Sequence, residues 1–355
     1  MEKKKARVIA FYLPQFHPIP ENDAWWGKGF TEWTNVRKAK PLFRGHYQPR
    51  VPADLGYYDL RMPEVREAQA DLAREAGIEG YCYWHYWFAG KRLLERPFNE
   101  VLSSGKPDFP FCLCWANHSW YAKTWNKDVP DKLLIEQTYL GKEDFENHFY
   151  TLLPAFKDKR YMRVNNKPIF GIFSYATVPN TEGFISLWNN LARLNGFDGF
   201  YFVTISYKSK SNADILGKGY NGIIYDLPFL RSSFKRYFYL FLHKYFFIPQ
   251  IIDYLDYSAT LLKNMPIDKT ILPCVNPNFD HTPRSGRRGA LMTNSTPENW
   301  KKLLKGLFNK IKSKAGEDNL VFIKSWNEWA EGNYMEPDLK YGKGYIKALR
   351  QAIDE

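Results

Sequence analysis

No apolar h-region follows the short basic start Lys3 to Lys5. The strand-like Arg7-Val8-Ile9-Ala10-Phe11-Tyr12 comes instead, so no secretory signal is visible and a cytoplasmic location is expected. Cysteine is scarce: Cys82, Cys112, Cys114 and Cys274 all sit inside apolar, strand-like runs, where a thiol behaves as a small buried hydrophobe. Cys112 and Cys114, two apart on a strand, would share one face, but no second Cys or His pair stands at zinc-ligand spacing, so neither a metal nor a cofactor is expected. An internal repeat and a low-complexity linker are also missing, which makes one domain, 1–355, the simplest partition. No Asp-x-Asp motif and no Gly-x-Gly-x-x-Gly loop is present, which weighs against a sugar-nucleotide-dependent transferase without excluding it. The formal charge of +12 suits an acidic glycan, an anionic membrane surface or nucleic acid. No base-reading module accompanies it, so nucleic acid is not an expected partner.

Aromatic residues, by contrast, are abundant, with 12 Trp, 24 Tyr and 26 Phe making up 17% of the chain, more than aliphatic core layers demand. Faces that pack on sugar rings would use this surplus, and so would a thick aromatic core. The aromatics gather where strands end. A strand over 8–13 runs into the proline-stiffened Pro14-Gln15-Phe16-His17-Pro18-Ile19-Pro20 and a long irregular section carrying Trp25-Trp26-Gly27, Phe30-Thr31-Glu32-Trp33 and Gly45-His46-Tyr47-Gln48-Pro49, read as one wall of a cleft. Pro63 opens a helix closed by Gly77. A second strand over 78–83 leads to the aromatic rim Trp84-His85-Tyr86-Trp87-Phe88, and a third over 109–115 to Ala116-Asn117-His118-Ser119-Trp120.

Helices over 144–156 and 183–194 alternate with strands over 168–173, 200–205, 222–225 (with Asp226 at its end) and 271–275. A further helix starts at Ser295-Thr296-Pro297-Glu298, where either Ser295 or Thr296 can cap, and carries Trp300, Leu303, Leu304, Leu307, Phe308 and Ile311 on one stripe. The eighth strand, 321–323, and a final helix over about 344–353 complete the count. Eight strands alternating with helices predict an α/β fold, a (β/α)8 TIM barrel with long strand-end loops, over an open doubly wound sheet. Residues 229–262 depart from the rhythm as a basic, aromatic helical insertion. They are too interrupted by charge to span a bilayer, and read either as an enlarged barrel helix or as a helix pair resting on a membrane surface.

Sites in such barrels lie at the C-terminal ends of the strands, where His17, His85, Asn117, His118, Asp226, Asn276, Glu328 and Glu331 all fall. The most pointed stretch follows the last strand: Ser325-Trp326-Asn327-Glu328-Trp329-Ala330-Glu331-Gly332-Asn333-Tyr334-Met335-Glu336-Pro337. Two carboxylates three residues apart in an aromatic setting admit two readings. One Glu keeps its proton while its neighbour stays ionised, as acid–base chemistry on a glycosidic bond requires. Alternatively, both merely favour the positive end of a helix. Glu336 is assigned a structural or rim place.

With these residues in hand, the sequence resembles the glycoside hydrolase family 99-like proteins, most closely the WbsX-like branch of O-antigen and capsule biosynthesis. The resemblance rests on residues 10–17, 26–33, 45–49, 83–88, Trp115-Ala116-Asn117-His118 and Trp326-Asn327-Glu328-Trp329-Ala330-Glu331-Gly332, and covers nearly the whole chain. It implies a (β/α)8 barrel and a retaining reaction at an α-linked, manno- or rhamno-configured sugar. Glu328 would draw the proton from the sugar 2-hydroxyl to form a 1,2-anhydro intermediate, and Glu331 would protonate the leaving oxygen. Substrate-binding positions are expected at His17, Trp26, Glu32, Trp33, His46, Tyr83, His85, Trp87, Trp115, Asn117, His118, Asp226, Asn276, Trp326, Asn327 and Trp329. The expected partner is an oligosaccharide, polysaccharide or lipid-linked glycan, with membrane-surface contact through 229–262 and a location peripheral to the inner face. A sugar-nucleotide-dependent glycosyltransferase and a non-catalytic glycan-binding barrel are the alternatives.

Overall fold

The computed structural model describes residues 6–123, 130–206, 212–227, 241, 243, 245–246, 248–314 and 316–355. Eight parallel strands form a closed barrel: β1 Arg7–Tyr12, β2 Gly80–Phe88, β3 Phe111–Trp115, β4 Lys167–Ile172, β5 Tyr201–Ser206, β6 Gly222–Asp226, β7 Ile271–Val275 and β8 Leu320–Ile323. Each pairs with the next in sequence. The pairing of β8 with β1, from Arg7↔Leu320 to Ala10↔Ile323, joins the two ends, so the open-sheet alternative is set aside.

A helix follows every strand: α1 Pro63–Ala76, α2 Arg96–Ser104, α3 Lys142–Lys157, α4 Thr181–Leu194, α5 Asn212–Gly217, α6 Tyr254–Asn264, α7 Pro297–Ile311 and α8 Gly344–Asp354. Local chemistry explains their ends. Pro63 sits in the first turn of α1, and Gly77 ends it in the left-handed region at φ 83°, its N–H reaching the carbonyls of Ala73 and Arg74. Of the two candidate caps of α7, Thr296 takes the role, its Oγ1 accepting the Asn299 N–H at 3.2 Å, and the predicted stripe from Trp300 to Ile311 is buried throughout. The stretches of α2 and α5 carry no helical reading in the sequence.

Two expectations need correction. Residues 84–88 are not a rim beyond the second strand but its continuation, since β2 runs to Phe88 and is buried along its whole length. The helical insertion over 229–262 is also too broad. Residues 228–240, 242, 244 and 247 lie outside the described residues, and with them Arg231, Lys235, Arg236 and Lys244. Of the rest, Gln250–Asp253 is a short strand paired with Ala290–Thr293, and Asp253 then caps α6, the ordinary sixth helix of the barrel. Phe241, Tyr245 and Phe246, just before it, are exposed. Among the described residues no helix is long and apolar enough to cross a membrane.

Much of the aromatic surplus is core. Trp188 of α4 is fully buried between strands and helices, 4.8 Å from Phe170, 4.9 Å from Phe184 and 5.3 Å from Phe200 by ring centroids. The four cysteines are free and buried. Inside the barrel the fit is close: a Cβ on Gly171 would stand 2.6 Å from the Sγ of Cys114.

Candidate active site

The stretch after β8 folds as a small hairpin, not as a helix start. Asn327–Glu328 pairs antiparallel with Asn333–Tyr334, and Trp329–Glu331 forms one 3-10 turn between them, so the helix-dipole reading of the two glutamates does not apply. Gly332 closes the turn at φ 59°, where a Cβ would lie 2.8 Å from both Cβ and N of Asp280 and 2.9 Å from Cζ of Arg50, so only glycine fits. Asn327 clamps the hairpin to the end of β1: its Oδ1 accepts the Leu13 N–H at 2.7 Å and its Nδ2 donates to the Leu13 carbonyl at 3.0 Å. Trp329 stacks on Tyr334 at 3.8 Å and donates its Nε1–H to Glu336 at 2.6 Å. Glu336, only 1% exposed, also accepts from Tyr58 and Gln69. Its place is structural and deep, not on a rim.

With the hairpin held this way, Glu328 and Glu331 face a cleft of about 540 Å³ at the C-terminal mouth of the barrel. Trp84 donates its Nε1–H to Oε1 of Glu328 at 2.9 Å. Arg284, from the loop after β7, donates to Oε1 of Glu331 at 2.6 Å and to Oε1 of Glu32 at 2.7 Å. Lys324, at the end of β8, pairs with Asp226 of β6 at 2.9 Å. Burial, together with the neighbouring charge of Glu331, pushes the Glu328 carboxyl up to about 8, although Lys324, Arg284 and the Trp84 bond act against the rise. Burial acts on Glu331 too, but Arg284, then His281 and Lys324, outweigh it and hold Glu331 below the usual carboxylate range. The surroundings thus push the two apart, favouring the protonated form at Glu328 and the ionised form at Glu331.

Of the expected substrate-binding residues, Trp26, Glu32 and His118 line this cleft. Trp26 is 44% exposed and packs on Phe30, and His118 lies over Phe173. Asp226 reaches its edge through Lys324.

The others turn away, and on β2 the reason is the alternation of side chains along a strand. Tyr83 packs on Phe98 of α2, His85 bonds His148 of α3 at 2.8 Å, and Trp87 donates to Asp144 of α3 at 3.0 Å. Trp84 and Tyr86, in the opposite phase, line the cleft instead. Trp115 follows the outward phase on β3 and is fully buried against Phe184 and His148. Asn117 staples the loop after β3 to Ser174 and Thr177, Asn276 joins Tyr257 to Asn333, and Trp326 is enclosed beside Tyr81. Trp33 donates to the Tyr58 carbonyl and packs on Trp329, and His17 is buried beside the Pro14 carbonyl. His46 lines a separate pocket of about 420 Å³ and bonds Asp280 at 2.8 Å.

The cleft also holds residues outside the expected substrate-binding set: Trp84, Tyr86, Trp120, His281, Arg284 and Lys324. Strand phase would have found the first two, and Lys324 is the one charge set directly after the last buried strand. Arg284 carries no local signal.

The sequence pattern of the family described as glycosyltransferase WbsX matches residues 8–349. Two relatives named uncharacterized protein WxcX, from strains of Xanthomonas campestris pv. campestris, are 36% identical over 356 residues, covering 99% of this chain and 50% of their own length. The chain thus spans about half the length of these relatives. Among solved structures, a GH99 endo-alpha-mannosidase from Bacteroides thetaiotaomicron superimposes with a TM-score of 0.61 at 15% identity, covering 98% of this chain and 96% of its own. A glycoside hydrolase-like protein does so with a TM-score of 0.61 at 14% identity, covering 98% of this chain and 94% of its own. At such identities the likeness is one of fold. The chain belongs to the WbsX glycosyltransferase family and is built on the (β/α)8 barrel that these solved structures share.

Proposed function

We propose that the protein acts with retention on an α-linked, manno- or rhamno-configured glycosidic bond of a cell-surface polysaccharide or its lipid-linked precursor, as a single barrel unit working at the inner face of the membrane. Glu328 takes the proton of the sugar 2-hydroxyl, whose oxygen attacks the anomeric carbon and closes a 1,2-anhydro ring. Glu331 protonates the departing oxygen, then removes a proton from the acceptor that reopens the ring, and two inversions give net retention. The observation that carries the reading is the pair itself: two carboxylates with separated proton affinities in an aromatic cleft. In the resting protein the surroundings favour the proton on Glu328, so the reading requires it to pass to Glu331 once sugar is seated, a transfer within the pair. Trp26, Trp84, Tyr86 and His118 supply the walls against which the sugar rings pack.

A sugar-nucleotide donor is the second reading. It is favoured by the family's description and by Arg284 and Lys324 beside the two glutamates, where a departing diphosphate would meet positive charge. The test is incubation of the protein with the polysaccharide or lipid-linked repeat encoded beside its gene, with and without sugar nucleotides, followed by mass spectrometry. Glu328→Gln and Glu331→Gln should each abolish turnover while leaving glycan binding intact. Wild-type turnover in both variants would remove the catalytic assignment, and product formed only with a sugar nucleotide would establish the second reading.

A further inference from the structure

We propose that Arg284, anchored on Glu32, is a positioning residue that holds the Glu331 carboxylate in place in the resting, sugar-free site. The proposal rests on the assignment of Glu328 and Glu331 to one acid–base site, but it concerns how that site is held, and three parts of the chain build it.

The anchor comes from the loop after β1. Glu32 opens the short helix Glu32–Lys38, whose start is fixed by reciprocal bonds between Thr31 and Thr34. Its carboxylate is fully buried, and its Oε1 accepts both from Arg284 at 2.7 Å and from the Ala330 N–H at 3.0 Å. A single oxygen therefore holds the arginine and the backbone of the catalytic turn together. Its Oε2 has no partner among the described residues, so the anchor's attachment is concentrated on those two bonds.

The second part is the loop after β7, which delivers Arg284 on the four-residue helix Thr282–Ser285. That loop is itself tied to the turn. The Asp280 N–H donates to the Glu331 carbonyl, and the Asp280 side chain accepts from Thr282, His46 and Gln48. The arginine and Glu331 thus belong to one braced unit.

The third part is the turn. Arg284 spends its two terminal nitrogens on two different carboxylates, 2.6 Å from Glu331 and 2.7 Å from Glu32. A planar fork bonded this way cannot swing toward one acid without leaving the other, so its position follows from both. The groups facing Glu331 are Arg284 and His281 from the loop after β7, Lys324 from the end of β8, and Glu328 from its own turn. Of these, Arg284 is in direct ion-pair contact with it, Nη1 to Oε1 at 2.6 Å. Glu328, by contrast, accepts a neutral indole N–H from Trp84, which its protonated form tolerates. The asymmetry is geometric, with a guanidinium on one carboxylate and an indole on the other.

The test reads the resting protein, so it does not depend on turnover. Carboxyl carbons of selectively labelled glutamate are followed by NMR as pH is varied, with Glu331→Gln and Glu328→Gln assigning the two resonances. In Arg284→Met the Glu331 midpoint should rise by more than one pH unit, and in Arg284→Lys, which keeps the charge but cannot reach both acids, by less. If Arg284→Met does not fold, the Arg284→Lys rise alone supports the proposal. An unchanged Glu331 midpoint in whichever variant folds would refute it and leave Arg284 as glue between loops. Absence of any glycan turnover in the wild type would overturn the proposed function but not this assignment.

Discussion

Replacing Glu336 by glutamine should remove a pH dependence of stability that the wild-type protein carries in the hairpin after β8. Glu336 is 1% exposed, and its Oε2 accepts from Trp329 at 2.6 Å and Tyr58 at 2.9 Å, while its Oε1 accepts from Gln69 at 2.6 Å. Burial raises this carboxyl from the ordinary 4.5 to about 7, with the hydrogen-bond donors pulling the other way and losing. The folded protein therefore binds this proton more tightly than the unfolded chain does. Stability from this group is fully present below the unfolded value of 4.5 and falls as pH rises through the folded value of about 7. At about 1.4 kcal/mol per pH unit, the loss across that window is about 3 kcal/mol. Glutamine cannot ionise. Its amide nitrogen would oppose the Gln69 amide, so Gln69 has to turn over, and the Tyr12 hydroxyl now donating to it can accept instead. That rearrangement costs about 1 kcal/mol and is independent of pH. Urea unfolding followed by tryptophan fluorescence, run on both proteins from pH 5 to 8, should show their difference in stability moving by about 2.5 kcal/mol in favour of the variant. Glu328 titrates in both proteins and cancels in the difference. Parallel stability curves would refute the reasoning, because they would mean that Glu336 is not the buried acid its surroundings make it.

Two further outcomes follow from the same hairpin. In Trp84→Phe the ring stays stacked on Phe11 but the donor to Glu328 is gone, so Glu328 rises further, and the alkaline limb of the pH–rate profile, where the pair loses its shared proton, should move up by about 1 to 2 units; an unmoved profile would sever Trp84 from the chemistry. Gly332→Ala places a methyl group against Asp280 and Arg50 at a left-handed backbone position, and should lower stability by more than about 1 kcal/mol in denaturant melts together with a loss of turnover, whereas wild-type behaviour would show that the turn can relax.

The barrel was legible because its signals are local. Proline at the start of α1, glycine after it and the apolar stripe of α7 are each written within a few residues, and eight short apolar runs separated by helices leave few topologies. The walls of the cleft were less legible, since an aromatic run such as residues 84–88 does not declare where its strand stops. Read as a rim, Tyr83, His85 and Trp87 look as available as Trp84 and Tyr86. Once β2 extends to Phe88, alternation sends the first three to the helices and the other two to the cleft. Arg284 lies far from Glu331 in the sequence and meets it only because β7 and β8 are neighbours, a relation that closure of the barrel creates.

The same division runs through the motif after β8. Residues 326–336 read in sequence as one acidic, aromatic cluster in which any member could touch a ligand. In the fold, Trp326, Asn327, Trp329, Tyr334 and Glu336 bond or pack inward, and only Glu328 and Glu331 are turned to the cleft. The inward set is what makes the outward pair usable. A carboxyl serves as acid or base only if it is held within a few tenths of an ångström of the atoms it serves, and an exposed three-residue turn has no such rigidity of its own. Here the rigidity comes from a clamp to β1 through Asn327, a stacked Trp329–Tyr334 pair and a buried acid beneath them. The third glutamate, turned away from the cleft, is therefore as consequential for the shape of the site as the two that face it.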